Sequence, residues 1–436
     1  RISINQACVS CHAHESSRMM SMAAQAHAAA NDSDSNINLP SVPVAELRGH
    51  GDGPIHIVRF TADGKYCITG ANDRTVRLWN PTRIDPAYRA PVITTKTTSN
   101  HGASSSHIIG LSSQEYYGRQ LPHSQQQQRQ QHLPSALPMQ TYSDGHIHPI
   151  YCIDANSSST VLLSASDKTL LATDLVTAQL KQKWWGHMGR IEYVTCLGGG
   201  SGANNTNETS TVGEEIYASA SYDSTVRLWD ARSRSKEPLM ILDQAKDAVT
   251  CVRMGKGGDA IVTSSVDGKI RTFDLRTAQM ITEDIVHPVT SFSFSNDGTS
   301  IAASCLDGIV RLWESNTAAT ATRTTSRKRV FQKLYSAHKS NNYKVECAFT
   351  SNDEYLISGS ECGAVAIYPV NSNGNNMDAT AMVNANATTL KRHAGPTCSV
   401  AACPRTSRPW LIVSASYDGS AIVWASQSQH DCCLFE

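Results

Sequence analysis

The sequence carries no surplus of charge: 38 Lys and Arg are balanced by 38 Asp and Glu over 436 residues. The long-range field that would hold a polyanion or an anionic membrane surface is therefore missing, and direct sequence-specific binding of nucleic acid is not expected. No run approaches the roughly 18 consecutive apolar residues of a membrane-spanning helix. Charged residues make up only 17% of the chain and aromatics 6%, while Gly, Ser and Thr recur throughout. That balance suits many short strands and turns better than long amphipathic helices. Signatures of catalysis are missing too. There is no GxxxxGK[ST], no HExxH and no GxSxG, and Gly198-Gly199-Gly200-Ser201-Gly202 lies in a polar stretch rather than between a strand and a helix. The chain is not expected to be an enzyme.

Cysteine is present but scattered. Of 13 residues, Cys67, Cys152, Cys251 and Cys347 stand inside apolar runs, which reads as buried thiols in a reducing compartment rather than a disulfide framework. Cys8-Val9-Ser10-Cys11-His12 has the spacing of a c-type haem attachment, with His14 as a spare ligand. Its surroundings are Ser, Ala, Met and His and offer haem no apolar pocket, so neither cofactor nor metal is expected. Cys433-Leu434-Phe435-Glu436 has the layout of a prenylation box but ends on Glu. The chain opens on Arg1, with Met19, Met20 and Met22 as alternative starts. Residues 1–40 are read as a disordered tail and 426–436 as a C-terminal tail.

Between the tails one unit repeats. A turn residue, usually Asp, is followed six residues later by a large side chain that ends an apolar run: Asp73/Trp79, Asp167/Thr173, Asp223/Trp229, Asp267/Phe273, Asp307/Trp313, Cys362/Tyr368 and Asp418/Trp424. The segments between them alternate with period two, as in Thr75-Val76-Arg77-Leu78-Trp79, and so read as strands with two distinct faces. Asp-Gly at 267–268, 307–308 and 418–419 supplies the chemistry of a tight antiparallel turn. Upstream of most anchors stands a small residue or Arg followed by His: Gly49-His50, Gly145-His146, Gly186-His187, Ala337-His338 and Arg392-His393.

This unit resembles the WD-repeat family, whose members fold as β-propellers of four-stranded blades. The anchors are too unevenly spaced for a bare period of about 40–45 residues. Setting aside the polar stretches 82–138, 198–214, 315–329 and 371–388 restores close to 40 residues per anchor. The expected architecture is all-β: a seven-bladed propeller over residues 41–425. Its ring needs an outer strand for the last blade, because an unpaired edge would be exposed there. Residues 42–47 are the segment available, and they are expected to pair with the blade formed by residues 396–424.

The resemblance also implies a hydrogen-bonded network of His, Ser or Thr, Asp and Trp inside each blade. The set is complete three times: His50, Thr69, Asp73 and Trp79; His187, Ser219, Asp223 and Trp229; His393, Ser414, Asp418 and Trp424. Elsewhere it is broken. The second blade has Thr173 for Trp, the fourth has Ala245 for His, the fifth lacks Gly-His and the sixth has Cys362 for Asp. Those blades are expected to rely more on apolar packing.

Two stretches are more specific. Trp229-Asp230-Ala231-Arg232-Ser233 through Leu242-Asp243-Gln244-Ala245-Lys246-Asp247, and Ala337-His338-Lys339-Ser340-Asn341-Asn342-Tyr343-Lys344-Val345-Glu346-Cys347, are similar to segments of the mitogen-activated protein kinase organizer family, WD repeat-containing protein eighty-three. The resemblance implies a monomeric, non-catalytic adaptor, cytoplasmic and nuclear, that holds kinase-cascade components and occurs in assembled spliceosomes. Partners are then proteins. The residue before each turn Asp is expected near the top face, which gives Asn72, Tyr222, Val266, Leu306, Glu361 and Tyr417. Tyr222 and Tyr417 are the strongest anchors, Tyr being apolar with a polar tip; Lys339 and Tyr343 join them from the second stretch. Trp229-Asp230-Ala231-Arg232 also resembles the Trp-Asp-x-Arg box of cullin ubiquitin-ligase substrate receptors, an alternative in which Arg232 meets the adaptor. The Gln125–Gln128 run in the first insert is expected to lie in a disordered loop on the first blade's rim, and the basic stretch Arg323–Arg329 in a solvated loop.

Overall fold

The alternating segments build seven separate sheets, six of four strands and one to which a fifth strand is added. The computed structural model describes residues 39–88, 133–198, 215–314, 333–370 and 387–426, apart from 52, 144, 234, 256, 257 and 409. It gives the backbone alone for Ile93–Lys96, Ser106–Ile109 and Ser326–Lys328. Among the described residues there is no helix. Blade one consists of Ile55–Phe60, Cys67–Ala71, Val76–Ile84 and Ala136–Tyr142; blade two of Cys152–Ala155, Val161–Ala165, Thr169–Asp174 and Leu180–Trp185; blade three of Ile191–Cys196, Ile216–Ser221, Val226–Asp230 and Met240–Leu242. Blade four holds Val249–Met254, Ala260–Ser265, Lys269–Asp274 and Met280–Asp284; blade five Val289–Phe294, Ser300–Cys305, Val310–Glu314 and Lys333–Tyr335; blade six Cys347–Phe349, Tyr355–Ser358, Ala364–Pro369 and Thr388–Lys391. The fold is a seven-bladed β-propeller.

Blade seven supplies only three strands of its own, Thr397–Ala402, Ile412–Ser416 and Ala421–Ser426. Its fourth is Pro40–Glu46, which runs antiparallel to Ala421–Ser426 with Val42 opposite Ala425 and Ala45 opposite Val423. The N-terminal strand thus closes the last blade. It starts two residues before the segment expected to do so. Pro40 and Pro43 are tolerated because an outermost strand need not donate from every amide. Val44, Ala45 and Leu47 are buried beneath it, and the Leu47 amide donates to the Ala421 carbonyl at 2.9 Å.

The apolar clusters lie between blades rather than within them. One unites Val44, Leu47, Ile55 and Trp79 with Trp410, Val413 and Val423, joining the seventh blade to the first. Others join the first to the second, the fifth to the sixth and the sixth to the seventh, and a large one runs from the second blade through the fifth. No blade can bury its faces alone, which is why the ring folds as one unit.

Tight turns set the blade geometry at one end. In every blade but the second, the position after the turn Asp or Cys takes a left-handed backbone, with Gly363 at φ 77° and Gly268 at φ 76°. A Cβ on Gly363 would stand 2.2 Å from the His393 carbonyl oxygen, so no side chain fits there. Blade one accepts the same conformation at Arg74, φ 66°.

Strands enter several polar stretches. The third strand of blade one continues to Ile84 and its fourth begins at Ala136, while Ile93–Lys96 and Ser106–Ile109 pair with each other. Within the basic stretch 323–329, Ser326–Lys328 is a strand rather than a loop. It pairs in parallel with the outer strand of blade four, Thr282 opposite Ser326, satisfying an edge that would otherwise be open. The Gln125–Gln128 run lies outside the described residues.

Candidate functional site

The recurrent polar residues form buried networks at the end of each blade that carries the turn Asp. In blade one, His50 lies 2.9 Å from Asp73 Oδ2 through Nδ1 and 2.6 Å from Thr69 Oγ1 through Nε2, and Trp79 Nε1 donates to the same hydroxyl at 2.9 Å. Blade three repeats this with His187, Asp223, Ser219 and Trp229 at 2.8 Å throughout. In blade seven, His393 reaches Ser414 at 2.8 Å and Ser420 at 2.7 Å, and Ser420 in turn bonds Asp418. A network repeated around a ring is scaffolding, since each buried polar atom left unpaired would cost about 1–3 kcal/mol.

Burial alone would raise the Asp73 pKa, but the hydrogen bond and charge of His50, with hydrogen bonds from the Thr75 amide and hydroxyl, outweigh it and bring the group down to about 2. Asp223 and Asp418 are lowered in the same way by His187 and His393. A carboxyl whose folded pKa is depressed contributes stability that is complete above its unfolded value, about 3.9, and is lost as pH falls through the folded value. The urea midpoint is expected to drop between about pH 4 and about pH 2, and Asp73→Asn should reduce the slope in that window. An unchanged slope in the variant would count against the assignment.

Blades four and five depart from expectation. Lacking the His, they do not fall back on apolar packing alone. Arg271 closes on Asp267 at 2.5 Å and Arg311 on Asp307 at 2.5 Å, and both arginines are buried. The Arg four residues after the turn Asp takes the vacated place, whereas in blade one, where His50 is present, Arg77 stays 3.8 Å from Asp73. Arg271→Ala should therefore cost more than Arg77→Ala, for which less than about 1 kcal/mol is expected, because Asp267 would lose its buried counter-charge and keep its bonds from the Lys246 and Lys269 amides. Equal losses in urea unfolding would refute the substitution of Arg for His. Blade two lacks the Trp at its Thr173 position and carries a buried Trp elsewhere. Trp184, from the outermost strand, is buried against Tyr217 and Trp229, with centroids at 5.7 and 6.2 Å. In blade six, His338 Nδ1 meets the Tyr368 hydroxyl at 3.0 Å.

The same end of the ring carries the entrance to the central channel. In five blades the innermost strand is bulged at its second residue, leaving His56, Glu192, Thr250, Thr290 and Cys398 out of register. A bulge re-aims a side chain, and these five turn to the channel or to the next blade. Thr250 and Thr290 donate to the Val289 and Val345 carbonyls of the following blades at 2.8 and 2.9 Å. His56, Glu192 and Cys398 line a cavity of about 220 Å³ together with Tyr151, Arg190, Tyr222, Tyr343, Lys344, Glu346 and Tyr417.

Its floor is an ion-pair plug. Lys344 reaches across the channel to Glu192 Oε2 at 3.3 Å and to the Glu192 and Thr250 carbonyls at 2.9 and 3.1 Å. Arg59 grips Glu346 with two bonds of 2.7 and 2.8 Å, and Ser399 donates to the same carboxylate at 2.6 Å. The Tyr193 ring lies beneath Arg253, Arg59 and Lys344, at 5.3, 5.5 and 5.8 Å. Burial would raise the Glu346 pKa, but Arg59 and Lys344 overcome it and hold the carboxylate below its usual range. Lys344 is held above its usual range by Glu192 and Glu346 against the same penalty.

The structure brings together Tyr222, Tyr343 and Tyr417. All three line the cavity, with Tyr343 and Tyr417 edge to face at 5.6 Å. Asn72 is exposed beside them on its turn. Glu361 Oε1 accepts the amides of Asn341, Asn342 and Tyr343 and so fixes the loop that carries Tyr343. Lys339 is exposed, with its amide bonded to Ser360 Oγ at 2.9 Å. Val266 and Leu306 are half-buried and away from the cavity. Arg232 lies at the opposite end of blade three, beyond the strand that starts near Tyr222, and pairs with Asp230 at 3.1 Å. His56, Tyr151, Arg190, Glu192, Lys344 and Glu346 were not singled out by the repeat. Their signal is position: most lie within a few residues after the repeated His, at the start of an inner strand.

Residues 41–80, 137–171, 180–230, 236–274, 281–314 and 385–425, more than half of the chain, match the family described as WD domain, G-beta repeat. The chain belongs to this WD40-repeat family. The matched segments leave out the first three strands of blade six of this WD40-repeat protein, where Cys362 replaces the turn Asp. The chain is 22% identical to the WD repeat domain-containing protein 83 homolog of Dictyostelium discoideum, covering 72% of this chain and 82% of that one. It is 36% identical to the WD repeat domain-containing protein 83 of Xenopus tropicalis over 31% of this chain and 40% of the relative. The pre-mRNA-splicing factor cwf17 of Schizosaccharomyces pombe is 30% identical over 28% of this chain and 31% of its own. These are homologous WD-repeat proteins, built on a fold that binds proteins.

Proposed function

We propose that this WD40-repeat protein is a non-catalytic scaffold whose tyrosine-rimmed face gathers the components of a splicing complex or a kinase cascade, working in the nucleus and the cytoplasm. The observation that carries this reading is the convergence of Tyr222, Tyr343 and Tyr417, from three separate loops, on one rigid rim. Aromatic anchors held by a preformed ring bind at little cost in ordering. The splicing arm is supported by the name of the cwf17 relative, and the kinase arm by the resemblance of the 337–347 stretch. Affinity purification of the tagged protein from nuclear and cytoplasmic fractions tests both. Spliceosomal or kinase-module proteins should be recovered with wild type and lost with Tyr222→Ala/Tyr417→Ala; recovery of neither group contradicts the proposal. Arg232→Ala is the counter-test: if it alone removes the partners and a cullin adaptor is among them, the ubiquitin-ligase reading replaces this one.

A further inference from the structure

We propose that the cavity at the channel mouth seats an anionic side chain of a partner peptide, a carboxylate or a phosphate, on the open edge of Arg190. This rests on the reading of this face as a protein-binding surface and names the chemistry it selects. Arg190 spends its Nε on Glu192, and its two terminal nitrogens take no hydrogen bond among the described residues. The guanidinium is held between the rings of Tyr151 and Tyr222, with centroids at 4.5 and 4.7 Å, and the Arg190 side chain remains 37% exposed. A planar fork fixed in this way and facing a cavity is prepared to accept a carboxylate or phosphate with two parallel bonds.

The charge balance has the matching sign. Around and beneath the cavity stand Arg59, Arg190, Arg253 and Lys344 against Glu192, Glu346 and Asp154. One positive charge is left over even with Asp154 ionised, and burial pushes Asp154 toward its neutral form. His56 adds no charge near neutrality, since burial and Arg190 lower it to about 4. Arg59 and Lys344 are consumed by the plug, and Arg253 Nε is buried without a partner. Of these cations Arg190 is the one whose side chain is open to the cavity, so an incoming anion meets the net positive charge of the group through its free edge. A ring of tyrosines with carboxylates nearby also suggests a cage for a ligand cation, but Arg190 already covers the faces of Tyr151 and Tyr222, so a second cation there would meet like charge.

The test uses full-length protein and degenerate peptide libraries that differ only in one fixed central residue: Glu, phosphoserine, Ser, Lys or trimethyl-lysine. Retention of the Glu or phosphoserine library should exceed that of the Ser library by about tenfold, and the better of the two identifies the natural group. Arg190→Gln should abolish the preference, and Arg190→Lys, which keeps the charge and loses the fork, should weaken it. The unfolding temperature of each variant shows whether the loss is local. Preference for Lys or trimethyl-lysine overturns the inference, and so does equal retention of all libraries by wild type. If no library is preferred while native partners still depend on Tyr222 and Tyr417, the inference fails and the scaffold reading stands. If the partners are indifferent to those tyrosines, the scaffold reading fails first.

Discussion

A chain lacking residues 39–46 is expected to lose its cooperative unfolding transition and to elute as an aggregate. The deletion strips the Ala421–Ser426 strand of its partner and leaves a buried strand as an open edge, a template for pairing with other chains. It also uncovers Trp424, Val423 and the cluster that welds the seventh blade to the first. Val44 and Ala45 leave with the strand, and each large apolar side chain removed from burial forfeits roughly 1.5–3 kcal/mol. Set against a total stability of roughly 5–15 kcal/mol, the loss of the strand and of its hydrogen bonds removes most of the margin. A synthetic peptide of residues 39–48 added in trans should restore part of the native circular dichroism. A truncated chain that stays monomeric and unfolds in a single transition at the wild-type temperature would show that the ring does not depend on this strand.

The second large effect concerns the plug. Glu346→Ala is expected to lower stability by about 3–5 kcal/mol, because it leaves Arg59 buried without its counter-charge. Arg59→Met/Glu346→Leu should cost much less than Glu346→Ala, since replacing both charges by apolar groups removes the desolvation penalty together with the attraction. Urea unfolding of Arg59→Met, Glu346→Leu and their double supplies the cycle. A double variant as unstable as the sum of the singles would mean that Arg59 and Glu346 are not coupled across the channel.

Much of the fold was legible because it repeats. The Asp-to-aromatic spacing, the period-two strands and the His upstream of most pairs are local signals, and local signals survive insertions of any length. The closing strand was legible for a different reason: seven anchors left one blade short of a strand, and one segment before the first His remained to fill it. The channel plug left no such trace. Arg59 and Glu346 are separated by 287 residues and Lys344 and Glu192 by 152, and neither pair has a periodic counterpart in other blades. The Arg271–Asp267 and Arg311–Asp307 pairs stood in plain view, since Arg also follows the Asp by four residues in blades one and three. What the sequence did not reveal is that this Arg closes on the Asp where the His is missing. Tyr222 and Tyr417 could be picked from their place before the turn Asp, whereas Arg190 could not, because its role depends on two rings from different blades meeting around it.

Amide hydrogen exchange tests the central claim most directly. Amides of Val42–Leu47 and Ala421–Ser426 are expected to exchange together, at the slow rate of the inner strands of the other blades, because the two segments form one ladder that closes the ring. Fast exchange throughout residues 40–47, with slow exchange retained elsewhere, would contradict a propeller closed by its N-terminal strand.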